Sequence, residues 1–225
     1  MSAGDGISAV LTYAILTAIS PVAIIAAILM LFSSRARVNG PMFVAGWVLS
    51  LAAVSGVAYA LADAGNLASD STADDAVSWG KIAFGVLLLL VAARKWRSRP
   101  APGAEPETPK WMAGIDAFSA GKAFTFGLIA GAAPKNFLLS AAAGVALAEL
   151  GLSTTDALVS LIVYVVVGSL TIAGPVVYYL VGGDRAKSAL DSTKQWLMVH
   201  NAALTTVVFL IFGVKLIADG LPALS

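Results

Sequence analysis

The stretch GLIAGAAPKNFLLSAAAGVAL, residues 127–147, decides how this chain is read. It is apolar on both flanks, yet Pro134, Lys135 and Asn136 stand at its centre. A helix breaker, a full charge and an amide in the middle of a membrane-length segment need a physical reason. Proline inside a helix removes one backbone hydrogen bond and clashes with the preceding turn, at a cost of about 3 kcal/mol. At the first position of a new half-helix that cost largely disappears, because the N–H there has no intrahelical partner anyway. The segment therefore predicts two half-helices meeting at Ala133-Pro134, the second starting at Pro134.

Composition sets the solvent. Of 225 residues, 59% are hydrophobic and 12% charged, with a mean hydropathy of +0.87, whereas soluble domains carry about 25% charged residues. The chain reads as an all-α integral membrane protein with nothing left for a separate soluble domain. The absence of cysteine excludes disulfides, thiol relays and thiolate metal sites. With a single histidine, a metal site is not expected, nor are a cofactor or a nucleic-acid partner. Phosphate-binding glycine loops, a G-x-S-x-G elbow and H-E-x-x-H are missing from the sequence, so an enzyme is not expected.

Apolar runs of membrane length cover 7–32, 41–62, 77–93, 123–148, 157–181 and 201–218, which predicts six spans. Asp5 in place of a basic leader argues against a cleaved signal peptide in the first. Arg35 and Arg37 fall between spans one and two. Arg94, Lys95, Arg97, Arg99, Lys110 and Lys122 fall between three and four, and Arg185, Lys187 and Lys194 between five and six. Asp63, Asp70, Asp74 and Asp75 lie on the other side. In a plasma membrane the basic loops are expected in the cytoplasm and both termini outside. The run RPAPGAEPETP (99–109) reads as an extended linker. Behind it, Trp111, Met112, Ile115 and Phe118 have the spacing of an amphipathic helix on the leaflet surface. Residues 184–200 suggest a second, with Ala186, Leu190 and Leu197 on one face.

The chain also echoes itself. AISPVAIIAAILML (18–31) matches GAAPKNFLLSAAAG (131–144) in carrying a small residue and proline mid-segment, and FGVLLLL from Phe84 answers FGVKLIA from Phe212. Three spans per copy invert the second copy, so the expected architecture is two inverted three-helix repeats, each with its first helix broken at a proline. Repeat 1 covers about 7–94, a cytoplasmic linker 95–122 and repeat 2 about 123–221, in one transmembrane transporter domain over 1–225.

Transporters of this plan bind cargo at the midplane between the breaks. The candidate substrate-binding residues are Ser20, Pro21, Pro134, Lys135 and Asn136. Ser20-Pro21 reads as an N-cap followed by the first helical position. Half-helices starting at Pro21 and Pro134 turn positive dipole ends toward the membrane centre, where they attract anions. Lys135 adds a full charge and Asn136 a donor and an acceptor. Lys135 lies about 20 Å from either end of its span at 1.5 Å per residue, and a lysine side chain reaches only about 6 Å. It must be housed in protein or a wet cavity; the alternative to cargo binding is a lysine bonded to helix carbonyls that holds the break together. Lys81 and Lys215 lie near predicted outer ends and are expected to snorkel. His200 is expected to form an interfacial hydrogen bond, and Pro175 to serve packing. Gly131, Ala132, Ala142 and Gly144 are expected to let helices pack closely and slide. No Asp or Glu falls inside a predicted span, which favours an anionic or polar-neutral cargo over a cation.

On ISPVAIIAAILML (19–31), FVAGWVLSL (43–51), FGVLLLLVAARKWR (84–97), PKWMAGIDAFSAGKAFTFGLIAGAAPKNFLLSAAAG (109–144), GPVVYYL (174–180) and HNAAL (200–204), the chain resembles the actinobacterial peptidoglycolipid-addressing proteins, which include the sulfolipid-addressing protein. That group lies within the lysine-exporter-like superfamily. An N-P-K triplet marks the fourth helix of the superfamily; here Ala133 replaces the Asn, and Asn136 lies on a different face. The resemblance implies export or flipping of a cell-envelope glycolipid by alternating access. Two rivals stay open: an exporter of a small amino acid or organic anion, and an accessory subunit of an envelope-lipid synthase or export pump. A homodimer is open beside a monomer.

Overall fold

The computed structural model describes residues 2–66, 71–97, 114, 115 and 117–221. Every regular element among them is helical: α1 Ala3–Ala18, α2 Pro21–Phe32, α3 Ala36–Asn66, α4 Ser71–Arg97, α5 Ala120–Gly131, α6 Pro134–Glu149, α7 Thr154–Gly182 and α8 Lys187–Gly220, with a 3-10 turn at Gly183–Ala186 before α8. Both expected breaks are present. α1 and α2 meet at 59° and α5 and α6 at 65°, and in each pair a proline opens the second half-helix. Two helical runs, Ala36–Gly65 and Thr154–Ala218, are long and apolar enough to cross a membrane, and counting each bent pair as one span raises this to four.

The chain divides into two compact units, Met1–Asn66 with Glu107–Met198 and Leu67–Pro106 with Val199–Ser225. In the first, α3 packs along α5 and α6, α7 packs along α1 and α2, and α1 also meets α6. Phe43, Trp47, Leu51, Leu139 and Tyr164 are fully buried there. Because lipid is as apolar as the side chains it competes with, close helix approach has to come from small residues. Gly46 lies on the carbonyl of Phe124, Gly127 reciprocally on that of Phe43, and Gly144 on that of Ser55. In the second unit a Cβ on Gly85 would stand 2.7 Å from the Gly213 oxygen, and one on Gly213 2.9 Å from the Gly85 oxygen. The two Phe-Gly-Val runs thus cross at their glycines.

Several expectations change. Residues 184–200 do not form a separate surface helix: they supply the 3-10 turn and the start of α8, and Ala186, Leu190 and Leu197 are buried in the protein. The Lys194 ammonium sits 5.0 Å from the Phe32 ring centre and pairs with Asp191 at 2.6 Å. Ile115 is buried in the protein too, not laid on a leaflet, while Trp111, Met112 and the 99–109 linker lie outside the described residues. Gly131 and Gly144 do mark close contacts, but Ala132 is exposed and Ala142 half-buried. α7 runs through Pro175 without ending.

The α3–α5 crossing gives a direct test. Gly127→Ala should force the backbones apart at about 1–3 kcal/mol and lower the melting temperature in detergent by roughly 2–12 °C. Gly56→Ala, whose added Cβ meets open space, should leave it unchanged or slightly raised. Equal melting of both variants would refute the close crossing.

Candidate functional site at the two helix breaks

Ending a helix inside a membrane strands its last carbonyls where no water can reach them, at several kcal/mol per unsatisfied group. At the end of α1 each is met. Ile15 O accepts from Ile19 N–H at 3.1 Å, and Ala18 O from Ser20 N–H at 2.9 Å. Ala18 O also accepts from Thr171 Oγ1 at 2.6 Å, and Thr17 O from Ser20 Oγ at 2.7 Å. The remaining two, Leu16 O and Ile19 O, are served by Lys135 Nζ at 3.0 and 2.9 Å. Its third bond goes to Ser20 Oγ at 2.8 Å. An ammonium has three donors, and all three are in use.

This arrangement explains an otherwise awkward placement. Within its own helix Lys135 is at the second position of α6, where the positive dipole end repels a cation. Its charge instead faces the carbonyl end of α1, which carries the opposite partial charge. The end of α1 and the start of α6 are thus joined across the break by a cation that belongs to neither backbone ladder.

The second break is closed by the neighbouring residue. Asn136 Nδ2 donates to Ala130 O at 2.9 Å, while its Oδ1 lies 3.1 Å from Ser20 Oγ. A carbonyl can only accept, so the amide must turn its nitrogen toward Ala130. Leu128 O takes the Ala132 N–H at 2.9 Å. Ser20 therefore links both breaks. Its single proton serves Thr17 O or Asn136 Oδ1 in turn, while its lone pair takes the lysine. Ser20 and Asn136 are 5% and 3% exposed, so the exchange is shielded from lipid and water.

The five expected residues come together, with one correction of role. Ser20 occupies the N-cap position of α2 but makes no side-chain cap, because its hydroxyl is committed to Thr17 O, Asn136 and Lys135. Pro21 and Pro134 open α2 and α6 as expected, and neither start has a side-chain cap. The lysine-to-carbonyl arrangement, given above as the alternative to cargo binding, is the geometry found. Among the described residues Lys135 forms no ion pair.

Sequence reasoning missed the hydroxyls around this cluster. Tyr164 OH lies 3.1 Å from Thr17 Oγ1 and 2.8 Å from Ser140 Oγ, and none of the three is exposed. The signal was available: Thr17 is one turn before Ser20, Ser140 one turn after Asn136, and Tyr164 sits far from the interfacial belt that tyrosines favour. Chemically the site offers a dense set of neutral acceptors around one cation. It can hold that cation at rest, and a stronger acceptor could take it over. Among the described residues no group of His, Cys, Asp or Glu could hold a metal ion.

Residues 10–222 match the family model for Sap, the sulfolipid-1-addressing protein. Searches of curated proteins and of solved structures returned no match.

Removing Ser20's hydroxyl tests the closure. Ser20→Ala leaves Thr17 O without its partner in a buried setting, which should destabilise by about 1–3 kcal/mol. Ser192→Ala removes only an exposed bond to Ser188 O and should be near neutral. Thermal melting in detergent reads the difference, and indistinguishable curves would contradict the shared closure.

Proposed function

The chain belongs to the sulfolipid-1-addressing protein family, and from that membership we propose that it moves an anionic or polar cell-envelope lipid, of the glycolipid class, across the plasma membrane by alternating access. The observation that carries the proposal is a half-buried lysine that, among the described residues, has no acidic partner and is held by neutral oxygens where two broken helices meet. An anion adds to its hydrogen bonds a full Coulomb attraction for the ammonium that neutral carbonyl oxygens lack. A sulfate, phosphate or carboxylate headgroup entering the cluster would therefore displace Leu16 O and Ile19 O from Lys135. Losing those bonds frees the end of α1 from α6, so headgroup binding and helix movement are one event. The acyl chains stay in the bilayer, beside exposed apolar residues such as Ile129 and Phe137.

The proposed frame is six spans in two inverted repeats, with the lysine-exporter-like superfamily as its setting. Support comes from the exchange of partners in the first unit, where α3 lies on the α5–α6 pair and α7 on the α1–α2 pair. The reciprocal Gly85 and Gly213 contact adds to it, as does the length of α4 and α8, 27 and 34 residues. The basic loops are placed in the cytoplasm and the termini outside by charge alone. Export of a small organic anion, and service as an accessory subunit, with or without a homodimer, are the competing proposals.

One observation favours a second reading of Lys135. All three of its donors are occupied, as they would be in a residue that only holds the break closed. The two readings separate in a strain lacking the gene, by mass spectrometry of surface-extractable and whole-cell lipids. Complementation uses wild type, Lys135→Arg and Lys135→Met, with membrane abundance measured for each. Headgroup engagement predicts that one lipid class vanishes from the surface but persists in the cell. Wild type should restore it, Lys135→Arg in part, and Lys135→Met not at all at comparable abundance. Full export per molecule by Lys135→Met would leave the lysine a purely structural closure. Lipids unchanged by the deletion would remove lipid export and point to small anions.

A further inference from the structure

The closure so far described does not use the fully buried hydroxyls beside it. Tyr164 belongs to α7, yet its hydroxyl reaches one residue on each broken helix, Thr17 of α1 at 3.1 Å and Ser140 of α6 at 2.8 Å. Three hydroxyls with three protons form two hydrogen bonds here, and in either ordering Tyr164 can donate to one neighbour and accept from the other. All three side chains are 0% exposed, so a broken bond finds no water to replace it and each counts at its full desolvation cost. Their positions are significant. Thr17 also supplies the carbonyl that holds Ser20, and Ser140 lies one turn beyond Asn136 on α6. Thr171 ties α7 to the same helix end through Ala18 O. The separation of Ile19 from Lys135, on which the ammonium's bonds depend, is therefore set by α7.

We propose that Tyr164 is the positioning residue of the two breaks: its hydroxyl latches α1 to α6 and must let go before Lys135 can exchange its carbonyls for a headgroup. Tyr164 does not touch cargo. It acts through the distance between Leu16, Ile19 and Lys135. As a step in the headgroup exchange the latch rests on the proposed lipid transport, but its mechanical part can be tested without any lipid substrate.

The test is the reactivity of Lys135 in the purified full-length protein toward methyl acetimidate, read lysine by lysine by peptide mass spectrometry. Tyr164→Phe keeps the ring packing and removes the hydroxyl. Losing a hydrogen bond of ordinary net strength should speed labelling of Lys135 by about two- to tenfold, while the peripheral Lys122 and Lys187 label at wild-type rates. Thr17→Val and Ser140→Ala should each give part of the effect. Added to Tyr164→Phe, Ser140→Ala should contribute nothing more, because its bond is already gone. These two variants also carry the test if Tyr164→Phe does not fold. An unchanged Lys135 rate in the folded variants overturns the proposal, and so does an equal rise at all three lysines, which reports general loosening. The expected labelling pattern in a protein that moves no lipid supports the latch while removing the transport reading.

Discussion

The structure depends on one interaction, the Lys135 ammonium against the carbonyl end of α1. A helix cannot stop inside hydrocarbon unless something satisfies its last oxygens, and proline alone only explains how the next half-helix begins. Lys135 supplies two bonds and a compensating charge at once. Ser20, Thr171 and the local backbone supply the rest. Without such a set the α1–α2 break would have to anneal into a continuous helix, or open to water. The 59° bend is held by Lys135 from the opposite break, and the 65° bend by Asn136 of its own α6.

The neutrality of those partners separates this site from a buried ion pair. A lysine facing a carboxylate would be held by a charge that moves with the protein, and removing either member would leave the other stranded at about 3–5 kcal/mol. Carbonyl oxygens hold a cation more weakly and keep other uses, since a helix end can rejoin its own ladder or meet water. On the proposed function, the arrangement would be firm enough to define a resting state and weak enough for an anion to replace. Burial works in the same direction, because an anion entering a water-poor cluster meets the charge at low dielectric.

Much of this could be read from residue types. Pro21 and Pro134 marked both breaks to the residue, since proline tolerates the first position of a helix and little else inside one. The distance of Lys135 from either surface required a protein partner. What could not be read was which oxygens serve it. Those oxygens belong to Leu16 and Ile19, whose side chains are apolar, and backbone acceptors leave no mark on a sequence. Ser20 was misread for a related reason: a serine before proline usually turns forward to cap, but here Thr17 O, Asn136 and Lys135 compete for the same hydroxyl and win. The start of α8 was misread because a buried amphipathic face and a membrane-lying one share a period. Only the packing partners distinguish them.

The two breaks are closed unequally. Pro134 is followed by Lys135 and Asn136, whereas Pro21 is followed by Val22 and Ala23. On the proposed inverted-repeat plan the equivalent positions therefore differ in kind. The end of α1 is tied to α6 by a cation and, through Tyr164 and Thr171, to α7. The end of α5 is closed by neutral donors alone, the Asn136 amide and the Ala133 N–H at Ala130 O and the Ala132 N–H at Leu128 O, and the residues flanking it, Ile129, Ala132 and Phe137, are exposed. A neutral hydrogen bond is the weaker of the two closures. On the proposed transport cycle, the neutral closure at the end of α5 is therefore the one that yields more easily.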